Sequence, residues 1–136
     1  MKKSPGPQVK VEFAGCPCRG KNLQKLVQPL VLASLAPGPL HGYAITDRIA
    51  GENLYAGGPP NYSAVYRLLR GMERNGLVTS ALVESSAGPA RRQYSLTTDG
   101  HKCLAWWTKS LADYRKTIDS IMALCRGAGR QGRQGV

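Results

Sequence analysis

Asn61 to Leu96 reads NYSAVYRLLRGMERNGLVTSALVESSAGPARRQYSL, and this stretch decides the fold. Val65, Leu68, Leu69 and Met72 recur at i, i+3, i+4 and i+7, which is one apolar stripe of a helix. Arg67, Arg70, Gly71 and Arg74 fall on the opposite face. Asn61 or Ser63 offers the side-chain oxygen of an N-cap, and Asn75-Gly76 ends the helix with a residue suited to positive φ. Leu77 to Glu84 then reads as a strand, Ser85 to Ala90 as a turn, and Arg91 to Leu96 as the returning strand, with Tyr94 and Leu96 on one face. A basic helix followed by a basic β-hairpin is the pattern of a winged helix-turn-helix. That arrangement puts the helix in a DNA major groove and the hairpin tip beside it.

Upstream, residues 22–36 predict a helix, with Leu23, Leu26, Val27, Leu30, Val31 and Leu35 at spacings of three and four. Pro29 cannot donate to an ongoing helix, so a kink there, or a second helix starting there, is expected. Ala36-Pro-Gly-Pro39 ends this element. His41 to Ala50 predicts the next helix, with Tyr43, Ala44 or Ile45, and Ile49 inward, and with Thr46, Asp47 and Arg48 in solvent. Gly57-Gly-Pro-Pro60 reads as a loop.

Downstream, Leu96-Thr-Thr-Asp-Gly100 reads as a helix start, with a threonine cap and an aspartate in the first turn. The helix carries Leu104, Trp107, Leu111, Tyr114, Ile118, Ile121 and Cys125, in steps that alternate between three and four. A heptad seam of this length exceeds what one small domain needs to dock a helix on itself. It predicts pairing with the same helix of a second subunit, the alternative being a long helix packed across its own domain. The fold class expected is α+β, mostly α: a winged helix-turn-helix domain with a long C-terminal dimerisation helix. The segments are a flexible basic arm with Cys-x-Cys over 1–21, the winged-helix domain over 22–97, the dimerisation helix over 98–125, and a disordered basic tail over 126–136.

The chain has 136 residues, and its nineteen Lys and Arg against eight acids leave a net charge of +11. A polyanion partner fits this balance, because each neutralised phosphate releases a counterion. No segment reaches the roughly 18 apolar residues of a membrane span, and the lysines at the N-terminus are not followed by the apolar run of a signal peptide. A cytoplasmic protein with reduced cysteines and no membrane partner is expected. No nucleophile–base pair, paired carboxylates or phosphate-cradling glycine loop is present, which argues against an enzyme. His41 has no acidic partner or nucleophile at a useful spacing, so it reads as a helix-start or core residue. Cys16 and Cys18 are closer than the usual zinc spacing, and further ligands would have to come from Cys103, Cys125, His41 or His101. No cofactor is expected, with a metal through Cys16 and Cys18, or a redox switch there, as the alternative. Cys125 reads as a small core residue.

The proposed DNA face comprises Asn61, Tyr62, Ser63, Tyr66, Arg67, Arg70 and Arg74 on the helix, with Arg91 and Arg92 on the wing. A guanidinium grips a phosphate or reads guanine through two hydrogen bonds, and helix N-terminal amides also favour phosphate. Because side chains alternate along a strand, one of Arg91 and Arg92 should face DNA, and the other should point sideways or toward the adjacent strand. Leu104, Trp107, Leu111, Tyr114, Ile118 and Ile121 are the candidate dimerisation residues. Trp106 and Trp107 either pack at that seam or line a pocket for a planar effector.

The order helix, helix, basic helix, β-hairpin and long seamed helix resembles the PadR family of bacterial transcriptional regulators. Leu30-Val-Leu-Ala-Ser-Leu35 and Gly38-Pro-Leu-His-Gly-Tyr43 resemble its first helix and the turn into the second. Ser63-Ala-Val-Tyr66, Leu69 and Met72-Glu-Arg-Asn-Gly-Leu77 resemble its recognition helix and exit. Gly88-Pro-Ala-Arg-Arg-Gln-Tyr-Ser-Leu-Thr97 with Gly100 resembles its wing and the entry to its dimerisation helix. The likeness covers about residues 23–122. The arm with Cys16 and Cys18 lies outside the family's common core, and Gly71 stands where a long side chain is more usual. The resemblance implies a homodimeric, sequence-specific regulator, usually a repressor, whose partner is a double-stranded DNA operator. A small aromatic effector or a redox signal would act through the long helix. Other readings of the same fold are an interaction module binding protein or membrane lipid, and a thiol or metal sensor.

Overall fold

The computed structural model describes residues 26–134 apart from 53 and 55–59, and of 131–134 only the backbone. The arm with Cys16 and Cys18, the helical expectation for 22–25 and most of the loop at 57–60 lie outside the described residues.

Helix α1 spans Val27–Leu35, α2 Gly42–Gly51, α3 Tyr62–Arg74 and α4 Thr98–Gln134. Strands β1 (Leu40–His41), β2 (Val78–Ser85) and β3 (Gly88–Leu96) form one antiparallel sheet in the order β1-β3-β2. The core is a single cluster in which Val27, Val31, Leu32 and Leu35 of α1 meet Ile45 and Ile49 of α2, Val65, Leu69 and Met72 of α3, and Val78 and Tyr94 of the sheet. Each helix contributes residues three or four apart, the spacing that keeps side chains on one face.

Several expectations change in three dimensions. A helix starts at Val27, two residues ahead of the start expected at Pro29. Pro29 lies in its first turn, where an N–H has no intrahelical acceptor, so its missing donor costs nothing. In α2, Tyr43 points outward and Thr46 inward. The Thr46 hydroxyl donates to the Gly42 carbonyl at 3.0 Å, which lets a polar side chain sit in the core. Leu40 and His41 form a short strand opposite Tyr94 and Gln93, closing the open side of the hairpin.

The wing turn is tighter than expected. Gly88, Pro89 and Ala90 belong to β3, and Ser85 pairs with Gly88. Pro89 is tolerated because β1 reaches only Gln93 and Tyr94, so β3 has a free edge at the wing tip. The register shifts between Val83 and Ser85. Such an irregularity sharpens the twist of a hairpin end.

Helix α4 starts where the sequence places it. The Thr97 hydroxyl accepts from the Gly100 N–H at 3.0 Å and donates to the Gly76 carbonyl at 2.6 Å, tying the cap to the end of α3. The helix does not stop at Cys125. It continues to Gln134, through the stretch read as a disordered tail, because extending a formed helix costs far less than nucleating one. Cys125, at the end of the heptad row, is exposed on the single chain, as are Tyr114, Ile118 and Ile121 before it.

Among the described residues, only the first turns of α4 pack on the rest of the domain. Cys103, Leu104 and Trp107 lie against the core, and the Trp107 indole N–H donates to Gln28 Oε1 of α1 at 2.9 Å. Beyond them Leu111, Tyr114, Ile118, Ile121, Met122 and Leu124 are exposed. Leu104 and Trp107, expected in an intersubunit seam, are thus half-buried against their own chain.

Candidate nucleic-acid interface

Asn61 opens α3 with its side chain accepting from the Ala64 N–H at 2.9 Å, which resolves the choice of cap in favour of Asn61 over Ser63. The helix ends as the Asn75-Gly76 pair predicts. Gly76 takes φ 77°, its N–H reaches the Glu73 carbonyl at 3.1 Å, and the Leu77 N–H reaches the Met72 carbonyl at 2.9 Å. This paired closure turns the chain directly into β2. With both ends pinned and Val65, Leu69 and Met72 buried, the opposite face of α3 is presented outward. Tyr62, Ser63, Tyr66, Arg67, Arg70 and Arg74 are all exposed there.

Tyr66 also has a packing role. Its ring lies over Gly42, where an added Cβ would stand 2.5 Å from the ring and 2.8 Å from the hydroxyl oxygen. The glycine of His41-Gly42-Tyr43 therefore allows α2 and α3 to cross closely. The outward Tyr43 stacks on Tyr62 with ring centroids 4.7 Å apart, and the Tyr62 hydroxyl donates to Asp47 Oδ1 at 3.1 Å. Its hydrogen bond with Tyr43 and the nearby Asp47 carboxylate hold the Tyr62 phenol above its ordinary range, so it remains a neutral donor.

The wing rises beside this face. Arg91 pairs with Val83 and Arg92 with Leu82, so the two arginines leave opposite faces of the hairpin. Arg92 turns toward the adjacent strand, and its Nη1 donates to Ser80 Oγ at 2.9 Å. Ser80 in turn donates to the Glu73 carboxylate of α3, at 2.7 and 2.9 Å from its two oxygens. Between helix and wing lies a groove of about 520 Å³ lined by Tyr66, Arg70, Glu73, Ser80, Arg92 and Tyr94. A second, of about 350 Å³, is lined by His41, Tyr43, Tyr66, Arg91 and Arg92. Arg70, Arg91 and Arg92 thus come together on grooves that share Tyr66, while Arg67 and Arg74 remain along the outer face of the helix. His41, Tyr43, Glu73 and Ser80 were absent from the residues expected here. An acid on the basic helix and a serine diagonal to an arginine across the hairpin were the available signs, but only the pairing register brings them together.

Away from this surface, α1 and α4 enclose an apolar groove of about 450 Å³. Leu26, Leu30, Leu54, Leu104, Trp107 and Leu111 are among its walls. Trp107 lines this groove and also shares a smaller cleft of about 170 Å³ with Trp106, Cys103, Ser110 and Tyr114. Trp106 is 69 % exposed, with the Lys109 ammonium 5.0 Å from its ring centroid. Among the described residues no cluster of three His, Cys, Asp or Glu side chains could hold a metal ion, and no helix is long and apolar enough to cross a membrane.

Comparison with known proteins agrees with this architecture. The model of the transcriptional regulator PadR-like family matches residues 31–106, which run from α1 through the wing into α4. A protein from Thermoplasma acidophilum described as a transcriptional regulator is 26 % identical with a TM-score of 0.66, over 76 % of this chain and 96 % of that one. A PadR family regulator from Eggerthella lenta is 25 % identical with a TM-score of 0.62, over 77 % of this chain and 87 % of that one. Bacillus subtilis PadR, solved with operator DNA, is 22 % identical with a TM-score of 0.55, over 61 % of this chain and 46 % of that one. No curated protein matches. With the family model spanning more than half of the chain and the same winged fold recurring in these structures, the chain belongs to the PadR-like family of transcriptional regulators and is not an enzyme.

Proposed function

We propose that this regulator is a homodimeric, sequence-specific DNA-binding repressor, with a double-stranded operator as its partner and the cytoplasm as its site of action. The observation that carries the reading is the pair of grooves that share Tyr66 between α3 and the wing, one lined by Arg70 and the other by Arg91, with Arg67 and Arg74 exposed along the same helix. In this reading α3 enters the major groove, Asn61, Tyr62 and Ser63 bring the helix N-terminus toward a phosphate, and the wing positions the complex on the backbone. The operator bound by Bacillus subtilis PadR supports the choice of DNA as the polyanion.

Dimerisation through α4 is supported by its unpartnered apolar row, Leu111, Tyr114, Ile118 and Ile121, which continues from the groove between α1 and α4. Two recognition helices related in this way would address half-sites about 34–36 Å apart, or a multiple of that. A small aromatic effector is supported by the Trp107-lined apolar groove and by the exposed Trp106. Its binding would shift the angle between the two DNA-binding domains through α4. A redox signal needs a partner from outside one helix, since Cys103 and Cys125 stand about 33 Å apart at 1.5 Å per residue.

The deciding measurement is fluorescence anisotropy with the DNA upstream of the protein's own gene, at two salt concentrations and with excess competitor duplex. Competitor-resistant binding that weakens steeply with salt is expected. Six to ten phosphate contacts would cost roughly 10³–10⁵ in affinity between 50 and 200 mM salt. Arg70→Ala and Arg91→Ala should each weaken this binding at least about tenfold while leaving the dimer mass unchanged. Unaltered affinity in both variants would show that the DNA face lies elsewhere. Binding that competitor erases would favour a general polyanion or protein-interaction surface.

A further inference from the structure

Arg92 and Arg91 are neighbours on the wing, but their surroundings differ. The Arg92 guanidinium donates to Ser80 Oγ at 2.9 Å, and Ser80 spends its own proton on Glu73 at 2.7 and 2.9 Å. The chain of bonds crosses three elements, from β3 through β2 to α3. Its members span twenty residues of sequence, and only the hairpin register brings them together. Ser80 pairs with Tyr94, so Ser80 and Arg92 are diagonal neighbours on the same face of the sheet. That face is the one that packs on α3, with Tyr94 buried next to the network.

Glu73 is the sole carboxylate on α3, a helix whose outer face is otherwise arginine and hydroxyl groups. Beside a phosphodiester backbone an acid is unfavourable unless it has another task. The backbone hydrogen bonds between β2 and β3 hold the wing together, but they do not set its angle to the recognition helix. Apart from packing, the Glu73–Ser80 bond is the polar tie that spans that gap, and the Arg92 charge beside it strengthens both links.

We propose that Glu73, Ser80 and Arg92 form a clamp that sets the angle of the wing on the recognition helix. In this assignment Arg92 is a positioning residue that remains bonded to Ser80 when DNA is bound, and Arg91 is the wing arginine that neutralises a phosphate. Glu73 then has two effects. Through the clamp it aims the wing for the correct site, and by its charge it weakens loose attachment to any duplex. Both effects raise the ratio of specific to non-specific affinity. The inference rests on the DNA-binding reading above.

Ser80→Ala tests it without changing charge. The probes are the tightest-binding duplex selected from a randomised library and a scrambled duplex of the same length, each at two salt concentrations. Ser80→Ala should weaken binding to the selected duplex about fivefold, the size of one net hydrogen bond, with the salt slope unchanged. Arg91→Ala should lower that slope by about one unit. Glu73→Gln should weaken binding to the selected duplex and strengthen binding to the scrambled one. If Glu73 were only an ill-placed charge, both duplexes would bind more tightly by the same factor. The effects of Ser80→Ala and Glu73→Gln on selected-duplex binding, beyond that shared charge effect, should be non-additive, because the first removes the donor of the bond and the second leaves it a weaker, uncharged acceptor. In the free protein, amide exchange at Ser85 to Gly88 should quicken in both variants while the thermal midpoint stays within a few degrees.

Equal scrambled and selected affinities in the parent would overturn the DNA reading, and the clamp with it. A specific parent whose Ser80→Ala variant binds both duplexes unchanged, or whose wing amides exchange at the parent rate, would overturn the clamp alone. A lower salt slope for Ser80→Ala would mean that Arg92 itself holds a phosphate.

Discussion

Gly42 and Gly71 are both glycines in the winged-helix half, and the structure assigns them opposite consequences. At Gly42 a methyl group would collide with the Tyr66 ring, 2.5 Å away, so Gly42→Ala forces α2 and α3 apart. A loss of about 1–3 kcal/mol is expected, the usual scale for overpacking, and a denaturant melt will measure it. At Gly71 a Cβ meets only the tip of Arg74, at 3.8 Å. The backbone there is ordinary helix, so Gly71→Ala should stabilise the fold by about 0.5–1 kcal/mol, read as a higher unfolding midpoint. Gly100 belongs with Gly42, since its Cβ would strike the Leu77 carbonyl where α4 crosses the end of α3. The motif glycines are thus places where elements touch.

Helix α4 behaves as two elements joined end to end. Its first turns, through Leu104 and Trp107, belong to the winged-helix domain and fasten to Gln28. Its remainder extends from that domain, for a total of about 55 Å at 1.5 Å per residue. Helices in proteins gain most of their stability from an apolar face packed on something else. An exposed row at heptad spacing therefore predicts its own kind of partner. Ile118 lies in that row and is 51 % exposed, so Ile118→Asp should not disturb the fold of a single copy. The expected outcome is conversion of a dimer to a folded monomer, observed as halved mass in sedimentation or light scattering. An unchanged dimer would place the subunit contact on another surface.

For the whole molecule, the core is small and joins all the elements through a few side chains, among them Tyr94. Burial raises its phenol above the ordinary value of 10.0. The unfolded chain therefore releases this proton at lower pH than the folded one. The associated stability is fully present below pH 10.0 and is lost as pH rises through the folded value. Alkaline melts should show a falling midpoint above that pH, and Tyr94→Phe should flatten the fall. Charge is the other global property. An excess of +11 attracts any polyanion, whereas the proposed specific reading rests on the placement of arginines on α3 and the wing.

Local patterns determined the elements. The stripe from Val65 to Met72, the Asn61 cap, the Gly76 turn and the Thr97 cap each depend on residues a few positions apart, so the order of the helices and the hairpin was legible directly, whereas β1 was not, because it exists only by pairing with β3. The arginine face of α3 followed from the same periodicity. The relations among elements were decided only by tertiary structure, because they depend on contacts between distant residues. Tyr43 faces outward because α2 buries the face of Gly42, Ile45, Thr46 and Ile49, and it stacks there on Tyr62. Trp107 docks on Gln28 although its heptad position suggests an intersubunit seam. Glu73, Ser80 and Arg92 meet because the hairpin register puts Ser80 opposite Tyr94 and diagonal to Arg92. Periodicity shows which way a side chain leaves its own backbone, and packing decides what it meets there.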